Sequence, residues 1–276
     1  MILAITGPTS GIGEETLKAL VKKFDKIFIL ARNDNKARQL IQTFSPNTQE
    51  KIQFIQLDLS DLKSVEKAAE NILANTKVID VLINNAGGIF QKKELTVDGL
   101  ELSFATNHLG HFLLTKKLIP VLLKSKHPRV INVSSEAHRA AKIDFNNLAK
   151  CQNGFNSFTA YANAKLCNIL FSKSLVDHYG DQGLSSYALH PGVVKTRFGN
   201  EAGGIFKVMW KLAEPFMLTP AKGASTSIYL ATQEISSKLN GYYFKSSKPN
   251  TPSSTARSKE MREKLWSLSE ELVTNK

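Results

Sequence analysis

Cysteine is nearly absent from this chain of 276 residues, which contains only Cys151 and Cys167. The two residues match no metal-binding or redox spacing, and so few cysteines are typical of a protein from a reducing compartment. The histidines, including His108, His111 and His190, do not fall at ligand spacing with cysteines or carboxylates. The sequence therefore predicts no metal site.

Long hydrophobic runs are also missing. The most apolar helical stretch, His111 to Leu123, is interrupted by Lys116 and Lys117 and is shorter than the about 20 residues that a membrane span needs. The first apolar run begins at Ile2, which leaves no room for a cleaved signal or transit peptide. We therefore expect a cytoplasmic protein.

Acidic residues are few compared with basic ones, and the net charge is +12. This balance raises the question of nucleic-acid or anionic-membrane binding. The lysines are scattered along the chain, however, and no nucleic-acid motif accompanies them. We expect solvated basic faces that also steer an anionic ligand, and no nucleic-acid partner.

Apolar runs alternate with amphipathic ones along the whole chain, the pattern of repeated β-α units around a parallel sheet. We predict a single α/β domain of doubly wound (Rossmann) type, with helices on both faces of a mostly parallel seven-stranded sheet. The expected strands cover 2–6, 26–31, 51–57, 79–84, 129–134, 184–190 and 240–244. The expected helices cover 12–23, 35–44, 61–75, 98–124, 158–179, 223–237 and 256–272, and residues 246–255 are expected to form a surface arm.

A glycine-rich turn, Thr6-Gly-Pro-Thr-Ser-Gly-Ile-Gly13, joins the first strand to the first helix. Gly7 permits a tight turn, Gly11 lets the backbone approach a pyrophosphate, and Gly13 lets the helix pack on the strand. The helix N-terminus adds free N–H groups and the positive end of a dipole. Such a turn alone is often only a loop, but its position here predicts a dinucleotide site.

The second strand is followed by Arg32 rather than by an acidic residue. A carboxylate at this point binds the ribose hydroxyls of NAD, whereas an arginine accommodates the 2′-phosphate of NADP. Arg32 therefore favours NADP(H) over NAD(H), with a solvated arginine at a strand end as the alternative.

Tyr161 and Lys165 are four residues apart in a predicted helix and so share one face. A tyrosine has a pKa of about 10, so acid-base work near neutrality requires a decrease of roughly 3 units, or about 4 kcal/mol. A positive charge about 5 Å away supplies about 3 kcal/mol at an effective dielectric constant of about 20. The pair predicts a tyrosine acid-base catalyst whose pKa is lowered by lysine.

Six motifs occur in the order and at the spacing of one family, which the chain resembles: the short-chain dehydrogenases/reductases. The motifs are Thr6-Gly-x-x-x-Gly-Ile-Gly13, Asn84-Asn-Ala-Gly87, Asn107, Val133-Ser-Ser135, Tyr161-x-x-x-Lys165 and Pro191-Gly192. Longer stretches around Asn107, Tyr161 and Pro191 look most like the retinol dehydrogenase and WW-domain oxidoreductase branch. The resemblance implies an NADP(H)-dependent enzyme that interconverts a carbonyl and an alcohol on a small molecule.

The resemblance also implies roles for individual residues. Tyr161 would be the general acid-base, Lys165 would lower its pKa, Ser135 would hold the carbonyl oxygen, and Asn107 would anchor a water. The cofactor would contact Gly7, Ser10, Gly11, Ile12, Gly13, Arg32, Asp58, Leu59, Asn85, Ala86, Gly87, Tyr161, Lys165, Pro191, Gly192, Val194 and Thr196.

Several of these roles have plain alternatives. Ser134 could replace Ser135, because only one of two adjacent strand residues faces the site. Asn107 or Asp58 could simply cap a helix, and Asn84 to Gly87 could be only a turn.

The positions of the motifs suggest which part of the chain carries each function. Residues 1–130 would mainly bind the dinucleotide, residues 131–245 would carry the catalytic and substrate part, and residues 246–276 an arm and a helix. An apolar segment at about 198–218 would form a lid, which favours a lipophilic substrate such as a retinoid, a steroid or a long-chain aldehyde.

Other readings stay open. The apolar side chains of the lid segment could instead face the core, a partner subunit in a homodimer or, through residues 206–216, a membrane surface. Alternative functions are a catalytically idle NADP(H)-binding regulator and a scaffold that pairs through the helices at 98–124 and 158–179.

Overall fold

A parallel sheet forms the centre of the protein. The computed structural model describes residues 1–194 and 217–274, and within these the sheet has eight strands in the order β3-β2-β1-β4-β5-β6-β7-β8. The strands are β1 (Ile2–Thr6), β2 (Lys26–Ala31), β3 (Ile52–Gln56), β4 (Val81–Asn84), β5 (Arg129–Val133), β6 (Ser185–His190), β7 (Tyr243–Lys245) and β8 (Lys248–Asn250). Neighbouring strands are parallel except β7 and β8. The strand order reverses between β1 and β4, which opens a crevice at the carboxyl ends of these strands.

Helices cover both faces of the sheet, as predicted. They are α1 (Gly11–Leu20), α2 (Asp34–Gln42), α3 (Pro46–Gln49), α4 (Leu62–Asn75), α5 (Leu102–Phe104), α6 (Gly110–Leu122), α7 (Phe145–Leu148), α8 (Ser157–Tyr179), α9 (Pro220–Thr232), α10 (Ser254–Arg257) and α11 (Lys259–Thr274). One core packs α4, α6, α8 and α11 against the sheet, and the other packs α1, α2 and α9. Because both faces are covered, the strands are continuous apolar runs rather than alternating ones.

The eighth strand is a departure from the seven that the sequence predicted. Ser246 and Ser247 both have positive φ, at 51° and 58°, and turn the chain from β7 directly into the antiparallel β8. A two-residue turn with two positive φ angles is the usual hairpin connection, but asparagine and glycine normally supply it. Pro249 lies within β8, where only an edge strand tolerates it. The serine pair and the proline together explain why residues 246–255 resembled an arm.

Capping side chains explain where the helix boundaries differ from the predicted ones. The helix expected at 98–124 begins after Glu101, whose carboxylate accepts hydrogen bonds from the N–H groups of Ser103 and Phe104. The helix expected from 223 begins earlier, because Thr219 caps it and Pro220 occupies its first position. The final helix is divided at Ser258 into α10 and α11.

The C-terminal helix α11 packs across α6 and α8. Trp266 contacts the rings of Phe112 on α6 and Phe171 on α8, with ring centroids 5.1 and 6.3 Å away. Ser269 is hydrogen-bonded through Oγ to Nε2 of buried His108, at 3.1 Å. The C-terminal helix therefore covers part of the surface of α6 and α8. Within the described residues, no helix is long and apolar enough to cross a membrane.

Candidate active site

Most of the polar motifs meet at one edge of the sheet. The glycine-rich turn follows β1, Asn85 follows β4, Ser135 follows β5, and Pro191 follows β6. Since these strands are parallel neighbours, their carboxyl ends lie side by side. The crevice formed there is where open α/β sheets of this type bind ligands.

The nucleotide turn is packed too tightly for side chains. A Cβ on Gly13 would lie 2.3 Å from the carbonyl oxygen of Gly7 and 2.5 Å from Nδ2 of Asn85. Gly7 has a φ of +64°, and a Cβ there would lie 2.9 Å from Cα of Ala86. Gly11 also has a positive φ, at 57°. The structure therefore brings the first turn and the Asn85 segment together, with backbone in contact with backbone.

Asn85 holds this contact through hydrogen bonds. Its Nδ2 donates to the carbonyl oxygens of Thr6 and Gly7, at 2.9 and 3.2 Å. The N–H groups of Asn85 and Ala86 both donate to Oγ1 of Thr6, at 3.0 Å each. The segment Asn84 to Gly87 is thus more than a turn after β4, because its hydrogen bonds attach it to the glycine-rich turn at one side of the crevice.

Helix α1 differs from α2, α4 and α8 at its N-terminus. Its N-cap residue, the exposed Ser10, makes no side-chain capping hydrogen bond. By contrast, Asn33, Asp61 and Asn156 each cap the helix that follows them. The first N–H groups of a helix need partners from outside it. At α1 they are left available to an anion in the crevice.

Three further cofactor candidates follow β2 and β3. Arg32 is exposed directly after β2. Asp58 does not cap α4, because Asp61 does; instead its Oδ1 accepts hydrogen bonds from N and Oγ of Ser60, at 2.9 and 2.6 Å. Leu59 is buried, and its carbonyl oxygen lies 2.6 Å from where a Cβ on Gly110 would be. The capping alternative for Asp58 is therefore excluded.

Helix α8 places Lys165 against the ring of Tyr161 and against β5. Its Nζ lies 5.5 Å from the centroid of that ring and donates to the carbonyl oxygen of Val133 at 3.0 Å. Lys165 is only 4% exposed, and Tyr161 is partly buried. The ammonium is therefore fixed between β5 and the phenol, a cation beside an aromatic face.

The pKa of Tyr161 shifts in the direction opposite to the prediction. Burial raises the pKa of Tyr161 to about 12, although a hydrogen bond with Ser135 favours the ionised form. Burial lowers the pKa of Lys165 to about 8. Removing both groups from water penalises both charged forms. In the protein without cofactor, the cost of burying the ionised phenol outweighs its expected attraction to the Lys165 ammonium, so the pKa of Tyr161 is raised.

The two serines after β5 face different partners. The hydroxyl of Ser134 is buried and donates to the carbonyl oxygen of Lys165 at 2.6 Å. Ser135 is the serine that hydrogen-bonds Tyr161, and its Oγ also accepts the N–H of Ala137 at 3.2 Å. The alternation along the strand therefore sends Ser135, and not Ser134, toward the phenol.

Asn107 does not cap a helix. It lies in a π-helical turn, Ala105–Leu109, between α5 and α6. Its Oδ1 accepts the N–H of Gly88 at 3.0 Å, and its Nδ2 donates to the carbonyl oxygens of Gly88 and Ser103 at 3.1 and 2.9 Å. A Cβ on Gly87 would lie 2.4 Å from Oδ1 of Asn107 and 3.2 Å from Nζ of Lys165. Asn107, Gly87 and Lys165 therefore meet on the floor of the crevice.

The segment after β6 closes the remaining side. Pro191 and Gly192 are partly exposed, and Gly192 has a φ of +94°. Val194 is buried, and a Cβ on Gly223 of α9 would meet Val194 at 2.5 Å and Ile12 at 3.2 Å. The structure thus places Val194 and Ile12 at the same packing contact. The predicted contact Thr196 and residues 198–216 of the predicted lid lie outside the described residues.

Two further residues support these groups, and neither role was predicted from the sequence. His111 is bonded through Nε2 to Oγ1 of Thr6, at 2.9 Å, and through Nδ1 to the carbonyl oxygen of Asn107, at 3.2 Å. Burial lowers its pKa to about 3, so it stays neutral. Nδ2 of Asn168 donates to Val133 O at 3.1 Å, the oxygen that Lys165 also uses. Helical spacing from Asn107 and from Lys165 was the available signal for both.

A cavity of about 400 Å³ lies beside the first turn of α8. It is lined by Glu101, Lys142, Asp144, Asn147, Leu148, Cys151, Asn153, Gly154, Phe155, Asn156, Thr159, Ala160 and Asn163. Most of these side chains are polar. Among the residues that the structure describes, no group of three or more His, Cys, Asp and Glu could hold a metal ion.

Comparison with known proteins identifies the family. Residues 1–203 match the family described as short chain dehydrogenase. The chain belongs to this family. It is therefore an oxidoreductase, and the resemblance drawn from its motifs is confirmed. The fold prediction is confirmed as well, apart from the extra strand.

Several known proteins are similar to this chain along almost its whole length. Retinol dehydrogenase 12 of Mus musculus is 38% identical over 273 residues, covering 99% of this chain and 86% of that protein. The WW domain-containing oxidoreductase of Homo sapiens is 35% identical over 280 residues, covering 99% of this chain and 68% of that protein. A solved structure of an uncharacterised Mycobacterium paratuberculosis protein is 30% identical, with a TM-score of 0.80 and coverage of 99% and 92%.

Proposed function

We propose that the protein interconverts a carbonyl and an alcohol by hydride transfer with NADP(H), using Tyr161 as the general acid-base. The observation that carries this proposal is the meeting of Ser135, Tyr161 and Lys165 beside the glycine-rich turn. The phenol is hydrogen-bonded to Ser135, and the ammonium lies over the phenol ring. Acid, oxygen-binding hydroxyl and cation are therefore in one crevice.

The crevice fits a dinucleotide. The glycine-rich turn admits no side chain at Gly13, the segment after β4 admits none at Gly87, and the N-terminus of α1 has no side-chain cap. These features suit a pyrophosphate held by backbone N–H groups. A bound nicotinamide would supply or accept the hydride, while the protein's own residues bind, orient and move a proton.

The protonation states of the pair fit a reduction. The phenol keeps its proton at neutral pH, because the pKa of Tyr161 is raised to about 12. During reduction Tyr161 would give this proton to the substrate oxygen, which Ser135 also holds by a hydrogen bond. Negative charge that develops on the oxygen or on the phenol would then be stabilised by the ammonium of Lys165. In the oxidative direction the same residues would act in reverse.

A preference for NADP(H) over NAD(H) rests on Arg32. The side chain is exposed after β2, and the nearby Asp34 is paired with Arg38 at 2.7 Å. The local carboxylate is therefore neutralised, and the arginine is available for a 2′-phosphate. Arg32→Asp should weaken NADPH binding by about 100-fold and NADH binding much less. Equal affinity of the parent protein for both cofactors would contradict the preference.

A lipophilic substrate is proposed from the apolar residues Phe206, Met209 and Trp210 in the segment expected to form the lid. The name of the similar protein retinol dehydrogenase 12 supports the same class. Each buried methylene adds about 0.8 kcal/mol, so kcat/KM for straight-chain aldehydes should rise with chain length. A flat dependence would contradict this substrate class. The cytoplasmic location, a peripheral membrane contact and a homodimer stay predictions.

The decisive test is Tyr161→Phe, assayed with NADPH or NADP⁺ against a panel of aldehydes, ketones and alcohols. Turnover should fall by about 100-fold or more because the proton donor is lost, while cofactor binding is kept. A parent protein that binds NADPH but turns over no member of the panel would favour the regulator alternative. Turnover unchanged by the substitution would exclude Tyr161 as the acid-base.

A further inference from the structure

A second polar network lies directly behind Ser135. The residues after it form a short 3₁₀ helix, Glu136–Ala140. The carboxylate of Glu136 accepts a hydrogen bond from the hydroxyl of Tyr243 at 2.7 Å. It also pairs with Arg139 at 3.1 Å and with Lys245 at 3.5 Å. One carboxylate therefore ties the catalytic segment to strand β7.

The bond from Tyr243 is the buried part of this network. Tyr243 is only 1% exposed, so loss of its bond to Glu136 would leave a hydroxyl in a largely buried setting without that partner. Hydrogen bonds from a hydroxyl to a carboxylate are among the stronger ones in proteins. Glu136 keeps its charge, since its pKa is lowered to about 2: burial acts against ionisation, but the bonds from Tyr243 and Arg139 outweigh it.

Two histidines hold the backbone of the same segment. His138 is bonded through Nδ1 to the carbonyl oxygen of Ser135 at 2.7 Å, and its Nε2 accepts the N–H of Ser253 at 3.1 Å. Because the backbone N–H must donate, Nδ1 carries the proton. The N–H of Glu136 donates to Nδ1 of His190 at 3.3 Å. The backbone on both sides of the Ser135–Glu136 peptide bond is therefore fixed.

Except for His190, the residues from other elements that these bonds bring to Glu136 and His138 lie beyond the family match. Tyr243, Lys245 and Ser253 belong to or follow the β7–β8 hairpin, and the carbonyl oxygen of Thr251 accepts a bond from Arg139 at 2.7 Å. The family match ends at residue 203. The catalytic serine thus depends on contacts that lie more than 100 residues further along the chain.

We infer that the β7–β8 hairpin sets the position of Ser135 relative to Tyr161, with Glu136 and Tyr243 as positioning residues for the reaction. The inference rests on the proposed function of Ser135 and Tyr161. Neither Glu136 nor Tyr243 takes part in proton transfer. Their role is to keep the Ser135 hydroxyl within hydrogen-bonding reach of the substrate oxygen, where a small displacement is costly.

The test compares Tyr243→Phe with Tyr187→Phe. Tyr187 is an equally buried tyrosine on the neighbouring strand β6 and lies in the opposite core, so it controls for loss of a buried hydroxyl. Tyr243→Phe should lower kcat by about tenfold with little change in KM, because positioning is lost and binding is kept. Glu136→Gln, which retains an acceptor for Tyr243, should keep more activity than Glu136→Ala.

Backbone hydrogen exchange, read by mass spectrometry, gives a measure that needs no turnover. Tyr243→Phe should speed exchange in residues 135–140 selectively, and Tyr187→Phe should not. The inference is overturned if the two variants behave alike in kcat and in exchange. It is also overturned if Tyr243→Phe speeds exchange across the whole sheet and its loss of kcat is explained by a loss of thermal stability. The effect would then be a general destabilisation of the fold.

The same experiment separates this inference from the proposed function. If Tyr161→Phe retains the turnover of the parent protein, the proposed acid-base is wrong. Exchange in residues 135–140 then still decides whether the hairpin fixes this segment. If Tyr161→Phe is inactive and Tyr243→Phe matches Tyr187→Phe, only the positioning role fails.

Discussion

Around the nucleotide turn the chain comes together because side chains are missing, whereas around Ser135 it comes together because side chains are present. Gly13 lies against the carbonyl oxygen of Gly7 with no room for a Cβ. Glu136, next to Ser135, accepts a hydrogen bond from Tyr243 and forms ion pairs with Arg139 and Lys245. The first region depends on close backbone packing, and the second on a network of hydrogen bonds and charges.

The two kinds of contact differ in how well they tolerate amino-acid substitution. A backbone contact at van der Waals distance leaves no way to absorb an added methyl group except by moving the chain. A network with several donors to one carboxylate can lose a single member and keep the rest. We therefore expect abrupt losses in the nucleotide turn and graded losses around Ser135.

Gly13→Ala should have the largest effect. The added Cβ would lie 2.3 Å from a backbone oxygen, and relieving such overpacking costs about 3 kcal/mol. Thermal denaturation should show this loss, and NADPH affinity should fall with it. Gly88→Ala is the matched control, because the nearest atom to its Cβ is 3.7 Å away. Similar stability of the two variants would contradict the close-packing account.

Lys165→Met should stabilise the protein at neutral pH while removing activity. The lysine pKa falls from 10.5 to about 8 on burial, which corresponds to a destabilisation of about 3 kcal/mol while the lysine is charged in both states. Val133 keeps a donor in Asn168, so the substitution leaves no carbonyl without a partner.

The pH dependence has a definite sign. Between about pH 8 and pH 10.5 the unfolded chain binds more protons at this lysine than the folded chain, so the free energy of unfolding rises with pH. The advantage of Lys165→Met should therefore be full below pH 8 and vanish above pH 10.5. Urea unfolding of both proteins across this range measures it. A difference that does not change with pH would contradict the burial of the charge.

How much of this could be predicted from the sequence differs between the two regions. A glycine required by close packing appears as a glycine in the sequence, so the turn and its role in the fold were predictable from a few adjacent residues. Tyr161 and Lys165 were predictable as a pair because one helical turn joins them. In both cases the signal is local.

The rest could not be predicted, because its partners are far apart in sequence. Nothing near Glu136 indicates that Tyr243 will meet it, and the β7–β8 hairpin that brings Tyr243 there uses two serines where asparagine and glycine are usual. The direction of the pKa shift at Tyr161 depends on burial, which spacing alone does not give. The charge of Lys165 is evident from the sequence, but the cost of desolvating Tyr161 is not.

The smallest effect on stability, and the sharpest on function, comes from the two adjacent serines. Ser134→Ala removes one buried hydrogen bond to the carbonyl oxygen of Lys165, and Ser135→Ala removes one with the N–H of Ala137 and one with Tyr161. Each lost bond should cost about 1 kcal/mol of folding free energy. The two variants should thus differ by only about 1 kcal/mol in stability, and a much larger difference in turnover reports the direction in which each side chain points.

Of the two adjacent serines, Ser135 is the one that is hydrogen-bonded to Tyr161. Ser135→Ala should therefore lower kcat by about 100-fold, as the loss of a donor to a reacting oxygen does, and Ser134→Ala should leave kcat within about twofold of the parent. Equal losses of kcat in the two variants would mean that either substitution disturbs the whole end of β5. The region around Ser135 would then tolerate substitution as poorly as the nucleotide turn does. A larger loss for Ser134→Ala would reverse the assignment of the two serines.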